Sequence, residues 1–358
     1  MISQKEIIDK ISGFQSTGNP IYRTGLFPSQ RVHPILPYRR EDNNIFFSTL
    51  IAFTLQQLRH HLPADQQNNV DKIVEAVHAN YCYFKSDKGT YNFWEPGARN
   101  FPNGWVLHKF NWLTIPDDTD DSSLIMLTKS PSKDRLLWYK EKLENHYPSN
   151  SGVSPLTPQV YQELRAYPTF FGKNILREMD ACVISNVLYM VCHYQLTWTS
   201  IDSDSVQFLN RVLEQQDYHQ SPFRISPHYG NSSIILYHMA RLVGGFNRKE
   251  LLALRELLIQ CLELEQQKKL SFMETLLIKT SLLRLNIKTT PPVTPETYEI
   301  GFRNFYFFQA GMLTGFQNSR MKRLAQNSFF HLKYRCEAYY WALLLEYQVM
   351  VQNGYSKS

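Results

Sequence analysis

Cysteine is scarce in this 358-residue chain and never clustered. Cys82, Cys182, Cys192, Cys261 and Cys336 lie far apart. An odd, dispersed set excludes a disulfide scaffold and points to reduced thiols in a cytoplasmic protein. Charge of one sign is also in short supply. The formal net charge is +6, and the basic residues are scattered, as in Arg39-Arg40 and Lys268-Lys269. With no basic arm, zinc finger or RNA-binding signature, a nucleic-acid partner is not expected. No run of about 18 apolar residues occurs, so no spanning helix is expected. Peripheral contact with a membrane surface stays open. The opening Met-Ile-Ser-Gln-Lys-Glu carries no apolar leader core, so a secretory leader is not expected. There is no glycine-rich phosphate loop, since Gly244-Gly245 is an isolated pair, and no Gly-x-Ser-x-Gly elbow. Strand-like alternation bounded by hairpin turns is rare.

What is present is helix. Hydrophobic residues make up 43% of the chain and aromatics 14%, enough for one large core. The helical segments alternate between two kinds. One kind is apolar nearly all round: 45–55, 122–127, 183–192, 233–242, 275–285 and 338–350. The other is amphipathic and charged: 70–79, 133–145, 205–216, 249–265 and 298–313. A helix apolar all round must be buried, and an amphipathic one faces solvent. Buried helices each neighboured by a surface helix predict an all-α chain, an α/α toroid of about six helical hairpins. The connectors at 148–152 and 291–295 are too short to divide domains, so residues 1–358 read as a single domain. An aromatic-rich loop is expected near 85–116, and a short flexible tail at the C-terminus.

The starts of the apolar helices are unusually polar. Residues 116–123 read Pro-Asp-Asp-Thr-Asp-Asp-Ser-Ser, with four carboxylates in five positions, and run directly into Leu124-Ile125-Met126-Leu127. Capping explains one such residue per helix, not four. Like charges at that density repel and burial penalises each, so at least one carboxyl should hold its proton near neutral pH. Such a group can act as a general acid. Further polar starts are Asp180-Ala181-Cys182, His228-Tyr229-Gly230-Asn231-Ser232, Met273-Glu274 and Lys333-Tyr334-Arg335-Cys336-Glu337. In a toroid the inner helices run parallel and these starts converge on one mouth.

On these features the chain resembles the terpenoid cyclase and protein prenyltransferase superfamily. Asp118-Thr119-Asp120-Asp121 is similar to the Asp-x-Asp-Asp motif of class II terpene cyclases, with Ser122 where those enzymes often carry Thr. The resemblance implies an isoprenoid cyclisation begun by Asp120, which protonates an alkene or epoxide, with Asp118 and Asp121 orienting it. Asp117, Trp94, Trp105, Trp112, His228, Tyr229, Asn231 and Arg335 are the expected substrate contacts; the aromatic faces would stabilise a carbocation. Lys333 and Arg224 are further candidates for a diphosphate, which would bring Mg²⁺ with it. The tandem repeats of squalene cyclases are absent, so shorter prenyl diphosphates are the expected substrates.

Other readings compete. Asp117-Asp118-Thr119-Asp120-Asp121 also fits the Asp-Asp-x-x-Asp pattern of class I synthases, which bind Mg²⁺. Their second metal motif is missing, because Asn231-Ser232-Ser233 lacks the following glutamate. Asp180 and Cys182 resemble the zinc ligands of prenyltransferase β subunits, with His228 or His238 as a third, but zinc is not expected. The alternative outside isoprenoid chemistry is a carbohydrate-active or non-catalytic toroid with an acidic pocket, where Asp42, Asp180 or Glu274 would partner Asp120.

Overall fold

Helix caps and apolar runs account for most of the architecture. The structure is a computed structural model that describes residues 2–96, 115–145, 152–172, 176–313 and 318–353. Its longer helices are α1 (Gln4–Phe14), α2 (Phe46–Leu58), α3 (Ala64–His78), α4 (Thr119–Lys129), α5 (Lys133–Asn145), α6 (Ala181–His193), α7 (Ser200–Glu214), α8 (Ser232–Gly245), α9 (Leu252–Glu265), α10 (Phe272–Arg284) and α11 (Glu337–Asn353). Side-chain oxygens start the buried ones. Asp118 caps α4, Asp180 caps α6, Asn231 caps α8, and Ser271 with Glu274 forms a capping box on α10. These groups satisfy backbone N–H donors that the helix itself leaves free.

Helices α2, α4, α6, α8 and α10 bury most of their length. Each packs against the next in that order, α10 packs against α11, and α11 packs against α2. The amphipathic helices lie against this set: α3 on α2, α9 on α8 and α10, α7 on α9, and α1 on α11 and α3. Buried apolar side chains from Ile7 to Val349 form one continuous cluster. The expected helices other than that over 298–313 therefore appear, most with ends moved by a few residues, and α1 joins them.

The all-α expectation needs one correction. A four-stranded antiparallel sheet is present, in the order β2-β1-β4-β3, from β1 (Ser29–Val32), β2 (Arg39–Asp42), β3 (Phe308–Gly311) and β4 (His331–Arg335). The surface helix expected over 298–313 stops at Phe302. Asn304 then takes a left-handed backbone with φ 64°, and the aromatic run after it leads into β3, which starts at its last ring, Phe308. Lys333, Tyr334 and Arg335, expected at a helix start, belong to β4, which leads into α11. Among the described residues no helix is long and apolar enough to cross a membrane. Most of the aromatic-rich loop, 97–114, and the tail from 354 lie outside the described residues.

Candidate functional site

The acidic start of α4 is buried. Asp117, Asp118, Asp120 and Asp121 are all at most 6% exposed. Pro116 and the cap of Asp118 begin the helix, and Asp118 Oδ1 accepts the N–H of Asp121 at 2.6 Å. Asp117 Oδ2 accepts the hydroxyls of Ser86 and Thr90. Asp120 reaches other elements: Oδ1 accepts Nδ2 of Asn186, from α6, at 2.6 Å, and Oδ2 accepts the hydroxyl of Tyr229. Arg241, on α8, donates through Nη2 to Oδ1 of Asn186 and so fixes which way that amide faces. Asp121 Oδ1 is buried with no hydrogen-bond partner.

Beside this chain lies a second one. Asp180 Oδ1 accepts the N–H groups of Cys182 and Val183 at 2.9 and 3.3 Å and the hydroxyl of Ser226 at 2.5 Å, and Oδ2 accepts the N–H of His228 at 3.0 Å. The His228 ring meets Glu178 at 3.0 Å, and Lys322 Nζ lies 3.6 Å from the other oxygen of Glu178. Aromatic rings enclose the group. Tyr229 packs edge-on to Phe46, Phe307 and Phe308 at 5.7–6.0 Å between centroids, and Phe93 stacks on Phe308 at 5.2 Å.

The electrostatics follow from burial among like charges. Burial, and then the charge of Asp120, push the Asp118 carboxyl up to about 7. Burial raises Asp121 well above the usual carboxylate range, and Asp118 and Asp120 raise it further. Asp118 and Asp121 thus titrate together. Burial also raises Asp120, against the opposing pull of Tyr229, Asn186 and Arg241. Asp180 is pushed up to about 6 by burial. Burial acts the same way on Glu178, but Lys322 and His228 overcome it and hold that carboxyl at about 2. Burial disfavours the charged ring of His228, yet Glu178 and Asp180 raise it above its ordinary value. The arrangement separates proton-holding carboxyls from one firmly ionised carboxylate.

The expected residues divide clearly. Asp118, Asp120, Asp121, His228 and Tyr229 come together. Trp94 is buried, and its Nε1 donates to Asp42 at 3.0 Å, so its polar edge is committed to the sheet. Asn231 caps α8 and donates to Glu274 at 2.9 Å. Arg335 sits on β4, paired in register with Gln30. Lys333 donates to Gln309, and Arg224 to the Leu156 carbonyl at 3.1 Å. Trp105 and Trp112 lie outside the described residues. Asn186, Arg241, Glu178 and Lys322 were missed. The first two were visible as lone polar residues inside apolar helices; Glu178 and Lys322 carry no such signal.

The zinc set does not fit its residues. Both oxygens of Asp180 are taken by protein donors, and burial holds the Cys182 thiol far above its ordinary range, in the neutral form that binds zinc poorly. For Mg²⁺, Asp117, Asp118 and Asp120 accept separate sets of protein donors. Among the described residues no group of three or more His, Cys, Asp or Glu converges on a metal position. Comparison with protein-family models, with curated proteins and with solved structures finds no match for this chain.

Proposed function

We propose that this chain is an α/α-toroid enzyme of isoprenoid chemistry, in which Asp120 protonates a prenyl diphosphate or related isoprenoid and starts a class II-like cyclisation. The observation that carries the reading is the setting of Asp120. It is a buried carboxyl with a raised pKa, gripped by Tyr229 and Asn186, beside a wall of aromatic rings. Burial disfavours the charged form of a carboxylic acid, so in a dry site the group keeps its proton near neutral pH and has it to give. An alkene has no charge or lone pair to be gripped, so the acid must be positioned instead. Tyr229 and Asn186 do this from two other elements. The π faces beside it suit a cationic intermediate.

The toroid reading rests on packing order. Six buried helices contact one another in sequence, and the last contacts the first. Their N-terminal ends, with the turns just before them, also meet: Asp120 with Tyr229, Asn231 with Glu274, and Phe47 with Tyr339 at 6.2 Å. Mg²⁺ enters the proposal as counter-ion of the substrate diphosphate. The five thiols, all free, agree with a reducing, cytoplasmic setting.

The test is product analysis. The protein is incubated with farnesyl and geranylgeranyl diphosphate, with and without Mg²⁺, and the dephosphorylated products are identified by mass spectrometry. A cyclic product that disappears in Asp120→Asn is the expected result. No turnover of either substrate, or turnover that survives the substitution, overturns the reading.

A further inference from the structure

Helix α8 carries polar atoms that the acid chemistry leaves unused. His238 and Arg241 are three residues apart and so share a face of the helix, and they are 0% and 1% exposed. A guanidinium keeps its charge in a protein. Arg241 uses Nη2 on the neutral amide of Asn186, while Nη1 is buried with no partner. Phe53 and Tyr237 flank the guanidinium, with ring centroids at 4.9 and 5.6 Å.

His238 offers the complementary function. Its Nδ1 faces the Ile234 carbonyl at 2.8 Å. A carbonyl only accepts, so Nδ1 carries the proton. Burial, and then the charge of Arg241, hold the ring neutral. Nε2 is therefore a bare lone pair, and it too is buried without a partner. The Tyr339 hydroxyl, beside Tyr237 and Thr54, makes no hydrogen bond of full geometry either. Phe307 packs against both rings, at 5.6 Å from His238 and 4.7 Å from Tyr339, so the imidazole and the phenol flank one aromatic wall.

A charged donor, a lone-pair acceptor and a hydroxyl, all buried, are costly when left empty-handed. Their chemistry defines what would satisfy them. Arg241 requires an ionised oxygen. His238 requires an O–H. We propose that Arg241, His238 and Tyr339 form a binding site for an oxyanion that retains a proton, of the hydrogen-phosphate class, free or carried as a phosphate monoester. The site borders that of Asp120, since Arg241 also holds Asn186 and His238 packs on Tyr229 at 4.7 Å, but it does not rest on the reaction assigned there.

Sulfate has the same shape and no O–H, so it separates the two halves of the site. The full chain is dialysed to equilibrium with inorganic phosphate or sulfate at mildly acid pH and studied by titration calorimetry and thermal unfolding. Single-site phosphate binding is expected, at least about tenfold tighter than sulfate. Arg241→Gln should weaken phosphate by about tenfold or more. His238→Phe keeps the ring and removes the acceptor, so phosphate should fall to the level of sulfate; this variant carries the test if Arg241→Gln does not fold. Methyl phosphate, which also keeps a P–OH, identifies the source. Binding as tight as inorganic phosphate assigns the site to an ester, and weaker binding assigns it to the free ion. Absent phosphate binding, equal binding of sulfate by the unmodified protein, or binding unchanged in both variants overturns the proposal.

Discussion

The hydroxyl of Tyr229 donates to Oδ2 of Asp120 across 109 positions of sequence. The phenol comes from the turn before α8 and the carboxyl from the first turn of α4. Both side chains are buried, where a hydrogen bond is electrostatically stronger than in water. The bond has a definite sign: it favours ionised Asp120 and lowers a pKa that burial raises.

Removing that bond should move the acid. In Tyr229→Phe, Asp120 loses a donor to its charged form and its pKa rises further. Under the proposed chemistry activity needs protonated Asp120, so kcat/KM declines as pH rises through that pKa. The decline should shift to higher pH in the variant, even as the rate drops with lost positioning. The pH profile of cyclisation by both proteins checks this. A profile that moves to lower pH, or does not move, contradicts the role given to Tyr229.

Asp121 should weaken the fold at neutral pH. Its folded pKa is raised well above the unfolded value near 3.8, as is that of Asp118, pushed to about 7. The folded chain then holds protons that the unfolded chain has released. This contribution to stability is fully present below about pH 4 and is lost as pH rises through the folded pKa. Asp121→Asn removes the burial and repulsion penalty and supplies an N–H to Asp118. We expect a gain of roughly 1–3 kcal/mol at about pH 8, seen as a higher melting temperature, and little change near pH 4. Thermal unfolding at both pH values reads the difference.

Glu178 works in the opposite direction. Its pKa is held at about 2, below the ordinary 4.5, by Lys322 and His228 against burial. Its stabilisation is present above about pH 4.5 and is lost as pH falls toward 2. Glu178→Gln leaves Lys322, which is 2% exposed, as a buried cation without its carboxylate. A loss of about 3–5 kcal/mol is expected near neutral pH. The same substitution removes the main support of charged His228, so its NMR titration midpoint should fall.

Much of this was legible before folding, and the reason is burial. Six segments apolar on every side had to be interior helices, and aspartates before Leu124 and Val183 had to be capping groups with charge to spare. The sheet was not legible, because Ser29–Val32 and Arg39–Asp42 are four residues each, and β2 has no apolar residue to alternate. They pair with each other, and β1 pairs on its other side with β4, about 300 residues away in sequence. Tyr298–Phe302 looked like the start of a longer helix because its pattern is helical; the stop lies in the backbone of Asn304. Asn186 and Arg241 were missed: each is a polar residue in a largely apolar helix, and only the packing of α4, α6 and α8 gives it partners.

Gly230 tests whether the sheet holds the acid site in shape. It follows Tyr229 and takes a left-handed backbone, φ 48°, and a Cβ there would collide with the side-chain amide of Gln309. Gln309 ties β3 to the turn before α8: its backbone N–H donates to the His228 carbonyl at 2.7 Å and its Nε2 to the Pro227 carbonyl at 3.2 Å. Gly230→Ala should therefore cost about 1–2 kcal/mol for the backbone alone, and more for the displaced amide. Gln309→Ala loses the Pro227 bond but clears the space. If the two residues act through this contact, the double variant is more stable than the sum of the single losses implies. Additive melting-temperature losses would mean that the amide moves aside freely and that the strand does not set the position of Tyr229. A sub-additive result predicts in turn that Gly230→Ala depresses cyclisation, because the displaced turn carries the phenol that grips Asp120.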